Sequence, residues 1–323
     1  MVEHRWTSRL LAGLATITLV AGCATGTTTP GPSLSTSPSG ALVSPSATPA
    51  PTPPTGTAAP PAASPSSSPA VANEWPFVRS ACPGADSQPL LLVALGTSET
   101  SGYGIRPDEP YSPQDAYPAQ YADILCKELG ATVELHSYFP SPLSSTLSPL
   151  AWWNERVAAD PAIRADLAAA KIVVLWAMSS HDVVPALVVG QCSGDWPDPL
   201  KACFESATAE IPAQTERLFT AISELVPEGA KILAGDAYAL PAINERWAAK
   251  PYWKELKTMV DPKTTVMPLA RKHGFTFVDV EAAFDALTGR AAEGLFQSDG
   301  IHPTTAGALA VAKVFAGADG LGR

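Results

Sequence analysis

Leu90-Leu91-Leu92-Val93-Ala94-Leu95-Gly96-Thr97-Ser98-Glu99-Thr100-Ser101-Gly102 begins as an unbroken apolar run and ends as small and polar residues between two glycines. Six consecutive apolar side chains fit a strand covered on both faces, the normal condition of a parallel sheet flanked by helices. The run stops at Gly96, so Ser98 stands just past the C-terminal end of a buried strand. Open α/β sheets place their chemistry at that edge.

Four further apolar runs read as strands: Thr132–Tyr138, Lys171–Met178, Lys231–Ala237 and Phe275–Val280. Helical spacing fills the gaps. Pro118 to Leu129 sets Tyr121, Ile124, Leu125 and Leu129 on one side and stops at Gly130. Phe204 to Leu225 is helical with a kink or break at Pro212, and Pro303 to Phe315 begins with proline in its first turn. Strands alternating with helices predict an α/β fold, a three-layer α/β/α sandwich around a five-stranded parallel sheet.

A serine hydroxyl becomes a nucleophile only when a base takes its proton. The base is sought among few histidines. His136 falls in a predicted strand and reads as a packing residue. His273 precedes Gly274 at a helix end, where a histidine suits the terminal carbonyls. His302 alone lies in a loop beside an acid and just before a helix, in Ser298-Asp299-Gly300-Ile301-His302-Pro303-Thr304. Asp299, three residues earlier, can turn back through Gly300 to hold the imidazole. Ser98, His302 and Asp299 therefore form a candidate set of nucleophile, base and orienting carboxylate. Ser98 is not on a Gly-x-Ser-x-Gly elbow, because position 100 is threonine.

Gly96-Thr97-Ser98 with Gly102 resembles the opening motif of the SGNH/GDSL hydrolases, normally Gly-Asp-Ser, and Asp299-Gly300-Ile301-His302-Pro303 resembles their closing Asp-x-x-His-Pro motif. The resemblance spans roughly residues 88–320, with both motifs in the right order and separation. It implies a flavodoxin-like strand order and an acyl-enzyme mechanism without metal or organic cofactor. It also implies an oxyanion hole, here the Ser98 amide with two stand-ins. Ser141, in Pro140-Ser141-Pro142, matches the family's glycine after the second strand. His181, in Ser179-Ser180-His181-Asp182, matches the asparagine of Gly-x-Asn-Asp, with Ser179 at the glycine. Thr97 replaces an aspartate. An imidazole can donate a hydrogen bond as the asparagine does.

The expected function is an exported carboxylic ester hydrolase acting on O-acyl groups of envelope glycans, small esters or lipids. Two alternatives stand beside it. Interception of the acyl-enzyme by a sugar hydroxyl would make an O-acyltransferase. Loss of the oxyanion hole at 138–145 and 179–182 would leave a non-catalytic envelope-binding module. Trp152-Trp153-Asn154-Glu155-Arg156 and Cys192-Ser193-Gly194-Asp195-Trp196 are expected as loops on the Ser98 edge, where tryptophans stack on ligands or pack a cap.

Arg5 and Arg9 precede an apolar segment, Leu10 to Val20, that ends Val20-Ala21-Gly22-Cys23. This resembles a bacterial lipoprotein signal, residues 1–22, with Cys23 lipidated and anchored to the cell membrane on its outer side. Residues 24–72 carry no charged or aromatic side chain and are almost all Pro, Ser, Thr, Ala and Gly. Such a segment cannot bury enough surface to order itself and reads as a disordered tether, reaching on the order of 150 Å if fully extended in polyproline form. The folded domain is expected over 73–323, as a monomer. The net charge of −10, without a basic stripe, argues against nucleic acid as a partner.

With Cys23 set aside, Cys82, Cys126, Cys192 and Cys203 allow three pairings. The short Gly/Pro-containing loop between Cys192 and Cys203 favours that pair, and with it Cys82–Cys126. A zinc site is disfavoured because neither Cys-x-x-Cys nor His-x-x-x-His spacing occurs.

Overall fold

A computed structural model describes residues 76–82, 88–140, 148–176, 192–235, 249–285 and 294–321. The predicted signal segment, Cys23 and the tether lie outside the described residues, as do Ser141 and Ser179 to Asp182.

Six strands form one sheet. They are β1 (Phe77–Ala81), β2 (Leu90–Leu95), β3 (Val133–Tyr138), β4 (Ile172–Trp176), β5 (Lys231–Gly235) and β6 (Thr276–Val278). Their order is β1-β3-β2-β4-β5-β6. Strands β2 to β6 run parallel to their neighbours, in the expected flavodoxin-like order, whereas β1 is antiparallel to β3. The sheet therefore has one strand more than expected. In β1, residues Phe77-Val78-Arg79-Ser80-Ala81 are half-exposed to exposed except the last. An edge strand of this kind buries little and leaves no apolar run to read.

The pleat of β2 divides the core. Val93 and Leu95 face one side with Val173 and Leu175 of β4, while Leu92 and Ala94 face the other with Val174 and Trp176. The first side is covered by α3 (Pro149–Ala159), α4 (Pro161–Ala169), α5 (Leu200–Thr208), α6 (Ile211–Leu225), α7 (Trp253–Val260) and α8 (Pro262–Lys272). The second is covered by α2 (Tyr117–Leu129), α9 (Val280–Asp285) and α10 (Thr305–Ala318), with α1 (Ser98–Ser101) at the end of β2. This is the expected three-layer sandwich. Each fully buried Leu or Val of the central strands contributes about 1.5–3 kcal/mol.

One local expectation holds and two are corrected. The break expected at Pro212 divides Phe204 to Leu225 between two helices, α5 and α6, with Pro212 in the first turn of α6, where its missing N–H has no intrahelical partner to lose. The last helix begins after Pro303, at Thr305, with Thr304 as the N-cap whose hydroxyl accepts from Gly307 N. Trp152 to Arg156 lie in α3 and not in a loop. Trp153 is fully buried there, and Arg156 lies over the Trp152 ring. Trp196, in the Cys192 loop, stacks on Tyr252 with ring centroids 4.6 Å apart.

Both expected disulfides are present among the described residues. Cys82–Cys126 ties the end of β1 to α2, and Cys192–Cys203 joins the loop before α5 to α5 itself.

Candidate active site

The nucleophile turn is set by the end of β2. Gly96 N donates to Tyr138 O at 3.2 Å, and Trp153 Nε1 donates to Gly96 O at 3.1 Å from within the core. Thr97 then starts α1 and Ser98 is its first residue. The helix ends after one turn because Gly102 adopts the left-handed conformation, with φ +67°. A Cβ at Gly102 would also lie 2.3 Å from Ser112 O. No other residue fits without moving that loop.

The second half of the site is a loop pinned onto the start of α10. Gln297 N donates to His302 O (2.8 Å) and Thr304 N to Leu295 O (2.9 Å). Gly307 is required here by close approach, since a Cβ would sit 2.0 Å from Leu295 O. Asp299 Oδ1 accepts from Ile301 N (2.8 Å) and His302 N (3.0 Å), which folds the carboxylate back over its own loop.

The two halves meet. His302 Nδ1 lies 2.6 Å from Asp299 Oδ2, and His302 Nε2 lies 2.9 Å from Ser98 Oγ. The three residues singled out in the sequence thus form one hydrogen-bonded line. Burial alone would raise the Asp299 carboxyl, but hydrogen bonds from the His302 ring and from the Ile301 and His302 amides outweigh it. They hold the group below the usual carboxylate range. Asp299 therefore stays ionised and fixes Nδ1 as the protonated nitrogen, leaving Nε2 free to accept from Ser98.

Three neighbours lie outside the set singled out in the sequence. Glu99 is buried beside Ser98 and takes the Thr97 hydroxyl at 2.5 Å. It is the one charged side chain in the Gly96 to Gly102 turn, the feature that could have flagged it. Tyr103 lays its ring against His302, centroids 4.7 Å apart, and is followed by Tyr111 and Phe139. Gln297 Nε2 donates both to Tyr103 O (2.7 Å) and to Pro303 O (3.0 Å), joining the two loops.

The two other described histidines are engaged elsewhere. His136 is held between Asp166 (2.6 Å) and Glu134 (3.0 Å), and His273 meets Glu216 at 3.1 Å. Among the described residues no three His, Cys, Asp or Glu side chains are gathered as metal ligands.

No family model matches the chain and no curated protein does. Solved structures do. A lipase from a goat rumen metagenome superposes with TM-score 0.50 at 18% identity, over 72% of this chain and 99% of that one. A Parabacteroides merdae protein described as a GDSL-like lipase gives 0.50 at 17%, over 74% and 100%. An acetylxylan esterase from Geobacillus stearothermophilus gives 0.51 at 18%, over 74% and 98%. At such identities the likeness is one of architecture: the chain shares its fold with these lipases and this esterase.

Proposed function

We propose that the protein is a carboxylic ester hydrolase working through an acyl-enzyme on Ser98. The observation that carries this reading is the line Asp299–His302–Ser98, with contacts of 2.6 and 2.9 Å. In the first step Ser98 Oγ attacks the ester carbonyl while its proton passes to His302 Nε2. The tetrahedral adduct collapses, the bond to the leaving alcohol breaks, and His302 returns the proton to that alcohol. Water then enters, loses a proton to His302 and attacks the acyl carbon, and Ser98 departs with that proton. Asp299 stabilises the imidazolium at each stage. The developing oxyanion needs preorganised donors, and Ser98 N–H, Ser141 and His181 remain the residues proposed to supply them.

The solved lipases and esterases with this fold support an ester as substrate. Acyl groups on envelope glycans suit a domain outside the cell. Export is supported by the two disulfides, which persist in oxidising compartments, and by the lipoprotein-like segment ending at Cys23. On this reading lipid on Cys23 holds the chain at the outer face of the cell membrane, with residues 24–72 as tether.

The test is turnover of acetyl esters, including acetylated oligosaccharides, by wild type, Ser98→Ala, His302→Ala and Asp299→Asn. Losses in kcat of about 10³-fold or more are expected for the first two. Full activity in Ser98→Ala would overturn the reading.

A further inference from the structure

The steps above leave one carboxylate of the site without a role. Glu99 is 3% exposed and follows the nucleophile directly in α1. Its Oε2 accepts the hydroxyl of Thr97, itself buried, at 2.5 Å, and lies 3.2 Å from Ser98 Oγ. Ser98 carries a single hydroxyl hydrogen and has two acceptors within reach, His302 Nε2 at 2.9 Å and Glu99 Oε2 at 3.2 Å. A buried carboxylate is costly unless hydrogen-bonded. Here its oxygen is turned toward the two hydroxyls at the end of β2.

We propose that Glu99 is a second proton acceptor for Ser98, giving the site a carboxylate route that runs when His302 is an imidazolium. The inference rests on the ester-hydrolase reading above. In this route Ser98 Oγ bonds to the acyl carbon and its proton goes to Glu99. The bond to the leaving alcohol breaks, and that alcohol takes the Nε2 proton of the His302 imidazolium. His302 is now neutral. It accepts a proton from water as the hydroxide adds to the acyl carbon. Ser98 then leaves, taking back the proton held by Glu99. The cycle ends with His302 charged and Glu99 ionised, as it began, and one ester and one water have become acid and alcohol.

Among the described residues, the titratable groups near Glu99 include Tyr117 of α2 and, across Ser98, His302. Burial, with the Glu99 charge adding to it, keeps the Tyr117 phenol neutral well above its ordinary range. From β3, Tyr138 gives its hydroxyl to Asp166.

The test is the second-order rate of Ser98 labelling by a fluorophosphonate probe across acid and neutral pH. His302 is titrated by NMR in the same samples. A nucleophile activated by imidazole alone loses about tenfold per pH unit below the imidazole midpoint. Wild type is expected to keep at least about a tenth of its neutral rate two units below that midpoint, and Glu99→Gln about a hundredth of its own. His302→Gln is expected to label slowly but above Ser98→Ala, and His302→Gln with Glu99→Gln to fall to the Ser98→Ala level. A hundredfold fall in wild type overturns the inference whether or not the variants fold, while neutral-pH labelling still upholds the hydrolase reading. Absence of labelling at every pH overturns both.

Discussion

Gln297 Nε2 donates one hydrogen to Tyr103 O at 2.7 Å and the other to Pro303 O at 3.0 Å. One amide thereby clasps the loop that follows Ser98 to the loop that carries His302, across 194 positions of sequence. Both acceptors are backbone carbonyls, so the clasp depends on a donor pair and not on side-chain shape. Gln297→Ala should lower kcat on a simple ester about tenfold with little change in KM, since the nucleophile and base lose their fixed separation. Gln297→Glu should do at least as much harm, because a carboxylate would face two carbonyl oxygens. Steady-state kinetics on the two variants checks this, and wild-type kcat in Gln297→Glu would remove the residue from a positioning role.

The two disulfides should differ in what they contribute. Cys82–Cys126 spans 44 positions and Cys192–Cys203 spans 11. Chain-entropy reasoning gives about 4 and about 3 kcal/mol respectively. Urea unfolding of the paired alanine variants should show both losses, with the larger for Cys82→Ala/Cys126→Ala. The reverse order would mean that the loop before α5 relies on its bridge for more than chain entropy.

His136 predicts a pH dependence of stability. Its hydrogen bond with Asp166, supported by Glu134, outweighs burial and raises the imidazole above its ordinary value. Burial pushes the Asp166 carboxyl up, but hydrogen bonds from His136 and Tyr138 outweigh it and hold the group below its ordinary value. The imidazole's contribution is complete below about pH 6.5 and is lost as pH climbs through the raised folded value. The carboxylate's contribution is complete above about pH 3.9 and is lost as pH falls through the depressed one. The pair is thus strongest between about pH 4 and 6.5. The Tm advantage of wild type over His136→Gln should be largest in that window and shrink toward pH 9. An advantage that grows above pH 7 would contradict the assignment.

Much of the architecture could be read in advance because β2 and β4 are short, continuous apolar runs, the pattern of a strand covered on both faces. The edge strand β1 could not, since Arg79 and Ser80 break the run and the strand is partly exposed along most of its length. The start of α10 was misplaced by two residues. Proline suits a first turn, yet Thr304 supplies the cap oxygen, and Pro303 stands before it. In the site, Asp299 and His302 were legible because their contact is local, made through a turn of three residues. Ser98 was legible from its place after a buried strand. Glu99, Tyr103 and Gln297 were not, because their roles arise only when the ends of β2 and the loop before α10 meet.

The most direct test of the account is fluorophosphonate labelling of the domain at neutral pH, followed by intact-mass and peptide mapping. Wild type, Ser98→Ala and His302→Ala would be compared, with circular dichroism to confirm that each is folded. The account predicts one probe adduct on wild type, mapped to Ser98, none on Ser98→Ala, and labelling slowed at least a hundredfold in His302→Ala. Folded wild type that takes up no probe, or an adduct on another residue, would contradict it.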